Sequence, residues 1–419
     1  MERLLHYVWK YKLYAATPLI TTEGRPVQVI DPGMQNTDAG PDFFNAKIKI
    51  DGTLWVGSVE IHDKSSDWLL HHHDTDKAYD CVILHIIGFN DFQPVRTNGN
   101  PIPQMLLTVP ENILRSIDWL LYREAALPCL DHITGIAPLH IACWMEALLS
   151  ERLERKTHDI FLLLDAYQTD WNEVFYITLT RNFGFGVNND AFERLAKSLP
   201  LRCIQKQRNS HSQIEAMLFG QAGMLEEEND DHYYRLLQRE YDFLRHNFVF
   251  KNLRTRPVNF PYLKVAQLAA LWVRYDTLFS AILEARSTGE IKKYFRIPPS
   301  GYWETHYHFR YASPRKEKTI GENALNILLI NTVVPMLFAY GLHNKRPEYC
   351  ERATRLLESI PPEKNTIVTT FYNAGITVRH AGDSQALIQL KREYCEKKKC
   401  LYCRIGFRML KTTIGQKSV

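Results

Sequence analysis

Two carboxylates and an imidazole stand out in residues 40–68, GPDFFNAKIKIDGTLWVGSVEIHDKSSDW. Asp42 follows Pro41 at the mouth of one expected strand, and Glu60-Ile61-His62 closes the next. Between them Asp51-Gly52 is a two-residue hairpin signal, because a type I′ turn needs positive φ at both central positions. The hairpin sets the two strands side by side. Asp42 starts the first and Glu60 ends the second, so the carboxylates finish near one end of the sheet. A period of two puts Glu60 and His62 on the same side. Two carboxylates and an imidazole where an apolar strand turns polar suit a hard divalent cation and metal-assisted hydrolysis. The same residues also fit a capped strand end with solvated charges, Asp42 merely closing a Gly-Pro turn.

The elements that must hold these groups can be read from periodicity. In the first strand Phe44, Ala46, Ile48 and Ile50 alternate with Asn45, Lys47 and Lys49, so the first set faces a core. In the second, Trp55, Gly57, Val59 and Ile61 form one face, and Leu54, Val56, Ser58, Glu60 and His62 the other. Residues 2–13 read as a helix with Leu5, Val8, Trp9 and Lys12 on one stripe. Pro26–Ile30 reads as a strand, broken by Asp31-Pro32-Gly33. Ser65 or Ser66 caps a short helix running to about Ala78. CVILHII at 81–87 is a strand buried on both faces and ended by Gly88. The order is helix, three strands, helix, strand.

This order, with Pro41-Asp42 and Glu60-Ile61-His62, resembles the PD-(D/E)XK nuclease superfamily, whose core is restriction-endonuclease-like, αβββαβ. More narrowly, residues 28–88 resemble an uncharacterised bacterial family, a domain of unknown function. Its pattern is GPDF, VEIH, SSDW, a histidine pair and a strand like VILH, met here at Gly40–Phe43, Val59–His62, Ser65–Trp68 and Val82–His85. The superfamily resemblance implies that Asp42 and Glu60 hold Mg2+ or Mn2+. It implies a lysine two positions after the glutamate that orients the attacking water. Here His62 occupies that position and Lys64 is the nearest lysine. An imidazole can serve as base or ligand but is not a permanent cation. The expected function is magnesium-dependent hydrolysis of phosphodiester bonds in DNA or RNA. The alternative is a catalytically inactive nuclease-fold protein that binds nucleic acid or acts as a scaffold. A hydrolase of another phosphoester would use the same site.

Near this core, His71, His72, His73, Asp74 and Asp76 cluster on or after the short helix. His71 and Asp74 are three apart and would share a helix face. The competing reading is a solvated polar helix end. Asp67, His71 and His73 are candidates to support the first site from behind its ligands. His85, inside the buried strand, reads as a core histidine satisfied by a hydrogen bond.

Beyond a short strand at Met105–Val109 and a helix from Glu111, the period changes from two to about 3.6 residues. The expected domains are 1–127, nuclease-like α/β, and 128–419, mainly helical with a cysteine-bearing tail. Helices are expected at Leu139–Ala166, Asp170–Phe183, Asp190–Ser198, Ser212–Leu225, Asp230–Phe248 and Lys264–Arg286. The segment GYWETHYHFRY, Gly301–Tyr311, has aromatics that can stack on bases, with Arg310 for phosphate, or pack a domain interior. The basic runs Arg202–Arg208 and Arg245–Arg256 read as solvated faces. Ala324–Leu342 is free of formal charge and long enough for a bilayer. Asn326, Asn331 and Pro335 make it a buried helix of a soluble core instead, and no membrane association is expected. In the tail, Cys395, Cys400 and Cys403 are spaced C-x4-C-x2-C among lysines that favour thiolates. Such a set can hold Zn2+ or an iron–sulfur cluster, with Cys350 or His380 as fourth ligand, or can be inert buried thiols.

The 419 residues suffice for two or three domains, and a net charge of +4 is only mildly basic. Residues 1–14 lack the unbroken apolar run of a signal peptide, and the eight cysteines are scattered. Reduced thiols in a cytoplasm are therefore expected.

Overall fold

A computed structural model of the chain describes residues 2–14, 18–36, 39–111, 113–114, 127, 129–241 and 260–415. The chain divides into two compact units, residues 1–141 with 392–419, and residues 142–391. A mixed sheet lies in the N-terminal region, and the region after it is mainly helical. The boundary thus falls at 141/142, not 127/128. The tail joins the first unit, not the helical one, because its apolar side chains are used there. Leu401 is buried in the first unit's core, and the Phe407 ring lies 4.6 Å from that of Tyr11.

The first unit opens with α1, Glu2–Lys10, which buries Leu4, Leu5, Val8 and Trp9. The helix stops before Lys12, so that residue leaves the expected stripe. It adopts a φ of 51°, and its Nζ donates to the Ile30 carbonyl at 2.7 Å. The strands are β1 (Leu19–Ile20), β2 (Pro26–Asp31), β3 (Met34–Gln35), β4 (Phe43–Ile50), β5 (Thr53–Lys64), β6 (Val82–Phe89) and β7 (Gln104–Leu106). They lie in the order β1-β2-β4-β5-β6-β7, with β3 paired to β4. The pairs β2/β4 and β4/β5 are antiparallel, whereas β5/β6 and β6/β7 are parallel. A one-turn helix, α2 (Asp67–Leu70), lies between β5 and β6.

The turn chemistry sets the register. Ile50 pairs with Thr53, and Asp51 and Gly52 take φ of 50° and 77°, as a type I′ turn demands. Near the start of β4, Asn45 has a φ of 56° and the β4/β5 register shifts between Phe43 and Ala46. This bulge reverses the expected facing of one residue: Phe43 is fully buried, and Phe44 is exposed. Ala46, Ile48 and Ile50 face the core as expected. Trp55 and Leu54, near the turn, are both exposed, whereas Val59, Glu60, Ile61 and His62 are all buried. Residues Val82–Ile87 of β6 are buried on both faces. Gly57 permits the close approach of β5 and β6. A β-carbon there would sit 2.5 Å from Ile83 Cγ2 and 2.8 Å from the Cys81 carbonyl oxygen.

In the second unit the helical periodicity holds. The helices Pro138–Ala166 (which begins just before this unit), Trp171–Asn182, Asn189–Ser198 and His211–Gln221 match the expected segments within a few residues. Asp170 caps the second through the N–H groups of Asn172 and Glu173. Of Asp230–Phe248, His232–Glu240 is helical and residues 242–248 lie outside the described residues, as does all of the basic run 245–256. Lys264–Arg286 is two helices, Pro261–Arg274 and Leu278–Glu284, because the chain turns extended at Tyr275. The apolar segment Glu322–His343 is long and apolar enough to cross a membrane, but most of it is buried inside the protein. A wide π-type turn at Leu329–Val333 precedes Pro335. There Asn182 Nδ2 donates to Thr332 Oγ1 at 2.9 Å, and Lys156 Nζ to Asn331 Oδ1 at 3.0 Å.

Gly57→Ala should lower the unfolding free energy of the protein by about 1–3 kcal/mol, because the clash includes a backbone carbonyl that cannot rotate away. Urea denaturation reads the change. An unchanged midpoint would mean that β5 and β6 separate at no cost.

Candidate functional site

The site is built on the face of β5 that carries Ser58, Glu60 and His62, all buried. Period-two alternation puts them on one side, and β4 brings Asp42 to the same end. The two carboxylates are cross-braced through backbone. The Asp42 N–H donates to Glu60 Oε2 at 3.0 Å, and the Ile61 N–H donates to Asp42 Oδ2 at 2.9 Å. Each carboxylate thereby spends one oxygen on the other's strand and keeps a second.

Five histidines surround the pair. His6, on α1, places Nε2 at 3.2 Å from Asp42 Oδ2. Glu60 Oε1 lies 3.3 Å from His73 Nε2 and 3.5 Å from His62 Nε2. His62 Nδ1 is 2.9 Å from His85 Nε2, and its Nε2 is 3.1 Å from His71 Nδ1. The His73 ring stacks on Tyr79 with centroids 3.6 Å apart. Among the described residues, His62, His71 and His73 are the one group of three metal-ligating side chains whose ligand atoms all lie within 4.8 Å of one another.

Burial governs the electrostatics. It pushes His62 down to about 2, reinforced by His85, His71 and His73, so that ring is neutral at pH 7. Burial likewise pushes His85 down to about 4. Glu60 is raised, first by burial and then by Asp42, against the pull of His73. Tyr79 is pushed up to about 12 by burial and the nearby carboxylates. His6 goes the other way: burial lowers it, but Asp42, Glu2 and Glu60 together leave it raised.

Asp67 Oδ2 accepts the Lys64 N–H at 2.9 Å, which ties it to the β5–α2 turn and not to the carboxylate pair. The Lys64 side chain is exposed at the end of β5. His71 and Asp74 do not share a helix face, because α2 ends at Leu70 and His72 takes a φ of 61°. That left-handed residue, not helical spacing, lets His71 and His73 both reach His62. His85 is held by a hydrogen bond, as expected, but its partner is His62. His6 and Tyr79 carried no signal in the sequence: His6 is an ordinary member of an amphipathic helix, and Tyr79 sits in a one-turn 3₁₀ segment capped by Asp76.

The tail cysteines lie on tight turns, Lys398 N–H to Cys395 O and Cys403 N–H to Cys400 O. Among the described residues, Cys395, Cys400 and Cys403 form no disulfide and are not part of the one group of three ligand atoms within 4.8 Å. Burial raises the Cys400 thiol and outweighs Lys398, contrary to the expectation that lysines favour thiolates there. Cys129 stands near Cys403 and Cys400, and burial pushes its thiol up to about 12. In the second unit Cys350 donates to the Phe338 carbonyl, and His380 caps a helix at Asp383. The aromatics of Gly301–Tyr311 are divided. Trp303 and Phe309 are buried in the helical core, Tyr302 stacks on His306, and Arg310 pairs with Glu227.

A family model described as a protein of unknown function, DUF2851, matches residues 2–366. The chain belongs to this family. The matched span contains Asp42, Glu60 and all five clustered histidines and ends before Cys395. No curated protein and no solved structure matches the chain.

A carboxyl whose pKa is raised on folding favours the folded state while protonated, and that contribution is lost as pH rises through the raised value. Glu60 is such a group. In protein stripped of divalent cations, Glu60→Gln keeps an acceptor for the Asp42 N–H and removes the buried charge. It should melt above wild type at pH 7, with the gap closing as acid protonates the wild-type carboxyl. A wild type that melts higher at pH 7 would show that the imidazoles stabilise the carboxylate more than burial penalises it.

Proposed function

We propose that the first unit hydrolyses phosphodiester bonds in a nucleic acid, using a divalent cation held by Asp42 and Glu60. The observation that carries this reading is the cross-brace, which commits both carboxylates to one end of the sheet and leaves each an oxygen to offer. A hard cation such as Mg2+ or Mn2+ takes carboxylate oxygens and water, and polarises a phosphoryl oxygen while lowering the pKa of the attacking water. The order α1, β2, β4, β5, α2, β6 supports a restriction-endonuclease-like core. Lys47 and Lys49 on β4, and Lys64 at the end of β5, are exposed cations suited to phosphates.

His62 does not stand in for a lysine as a charge. Neutral and engaged by His85 and His71, it serves as a ligand or a proton acceptor. Lys64 is left as the cation for the water or the scissile phosphate. The same neutrality of His62 favours a second reading, a nuclease-fold protein that binds nucleic acid without cleaving it.

Labelled single- and double-stranded DNA and RNA, incubated with Mg2+, Mn2+ or chelator, separate the two. Hydrolysis predicts metal-dependent products that Glu60→Ala and Asp42→Ala reduce by more than about 100-fold, the upper range for losing even an outer-shell partner of a metal. Lys64→Ala should slow cleavage without abolishing metal binding. Binding without products under every metal condition establishes the second reading instead.

A further inference from the structure

We propose that Glu60, His62, His71 and His73 together form a binding site for one transition-metal ion of the zinc class. Four-coordinate zinc with bonds of about 2.0–2.1 Å separates its ligand atoms by about 3.3 Å along each edge of the tetrahedron. Three edges of that size are already present: His62 Nε2 to His71 Nδ1 at 3.1 Å, His73 Nε2 to Glu60 Oε1 at 3.3 Å, and His62 Nε2 to Glu60 Oε1 at 3.5 Å. The three imidazoles converge within 4.8 Å. Two of them aim the same nitrogen, Nε2, at one carboxylate oxygen.

The surroundings hold these rings as a metal site requires. His62 binds through Nε2 and turns its Nδ1 to His85 Nε2 at 2.9 Å, the outer-shell hydrogen bond that fixes a ligating ring. His73 is stacked on Tyr79 and set edge-on to Trp68 at 5.3 Å. Glu60 is fixed by the Asp42 N–H on its other oxygen. His71 and His73 flank His72, whose left-handed backbone is an uncommon state for a non-glycine residue, retained where surrounding structure demands it. His71 is exposed, which gives the ion a way in. Three imidazoles and one carboxylate select zinc, cobalt, nickel, copper or iron over magnesium and calcium, which prefer oxygen. The site shares Glu60 with the proposed hydrolytic centre, but its existence does not depend on cleavage.

The test is a titration of full-length, chelator-treated protein with Zn2+ by calorimetry and with Co2+ by visible absorption. The expected result is one equivalent of Zn2+ per chain, intense visible bands of tetrahedral cobalt, and no displacement by millimolar Mg2+. His71→Ala, in an exposed turn, and His73→Ala should each weaken Zn2+ binding by at least about 10–100-fold, with circular dichroism unchanged for His71→Ala. Failure to bind either ion, or binding indifferent to both substitutions, overturns the proposal. Zn2+ binding with no nuclease activity leaves this site standing and removes the hydrolytic reading. Mg2+-dependent cleavage by protein that binds no Zn2+ does the reverse.

Discussion

The exchange of hydrogen bonds, Asp42 N–H to the Glu60 carboxylate and Ile61 N–H to the Asp42 carboxylate, is the constraint on which the rest of the first unit's site depends. It sits where the β4/β5 ladder is interrupted by the Asn45 bulge. Partly buried N–H groups need acceptors, and two carboxylate oxygens supply them. Leaving a buried donor unpaired costs about 1–3 kcal/mol, so these side chains close the ladder as well as present charge. Their remaining oxygens are held in place by the same bonds. A pair of acidic groups fixed by backbone on both sides cannot relax apart as surface carboxylates do.

Around this pair the protein accumulates imidazoles in a buried place, an arrangement with a definite cost. His62 and His85 are too desolvated to ionise near neutral pH, and both His62 ring nitrogens lie within hydrogen-bond distance of other histidines. The ring nitrogens of His62, His71 and His73 and the Glu60 carboxylate crowd several lone-pair-bearing atoms into one place. A cation would satisfy them together, because it is attracted by the carboxylate and accepts the lone pairs. His6 sets its Nε2 3.2 Å from Asp42 from a separate element, and against burial Asp42 raises its pKa, so α1 is both a packing helix and part of the electrostatic frame.

The features legible in the sequence were the ones set by local rules. Asp51-Gly52 fixes the hairpin, alternation carries Glu60 and His62 to one face, and CVILHII marks the buried strand. These need only turn chemistry and period two. What escaped was set by single backbone departures or by distant contacts. The bulge at Asn45 exchanges Phe43 for Phe44, and a left-handed His72 brings His73 to Glu60 in place of the expected His71–Asp74 pair. The tail gave no local sign that Leu401 and Phe407 would join the first unit. His6 and Tyr79 are ordinary in their own segments and acquire meaning only beside Asp42 and His73.

Manganese soaked into crystals of the full chain, located by its anomalous scattering, tests the central claim most directly. The account predicts a peak about 2.0–2.6 Å from carboxylate oxygens of both Asp42 and Glu60, at the end of β4 and β5. Manganese bound elsewhere on the chain, with these two carboxylates still bonded to the Asp42 and Ile61 N–H groups and no density between them, would contradict it.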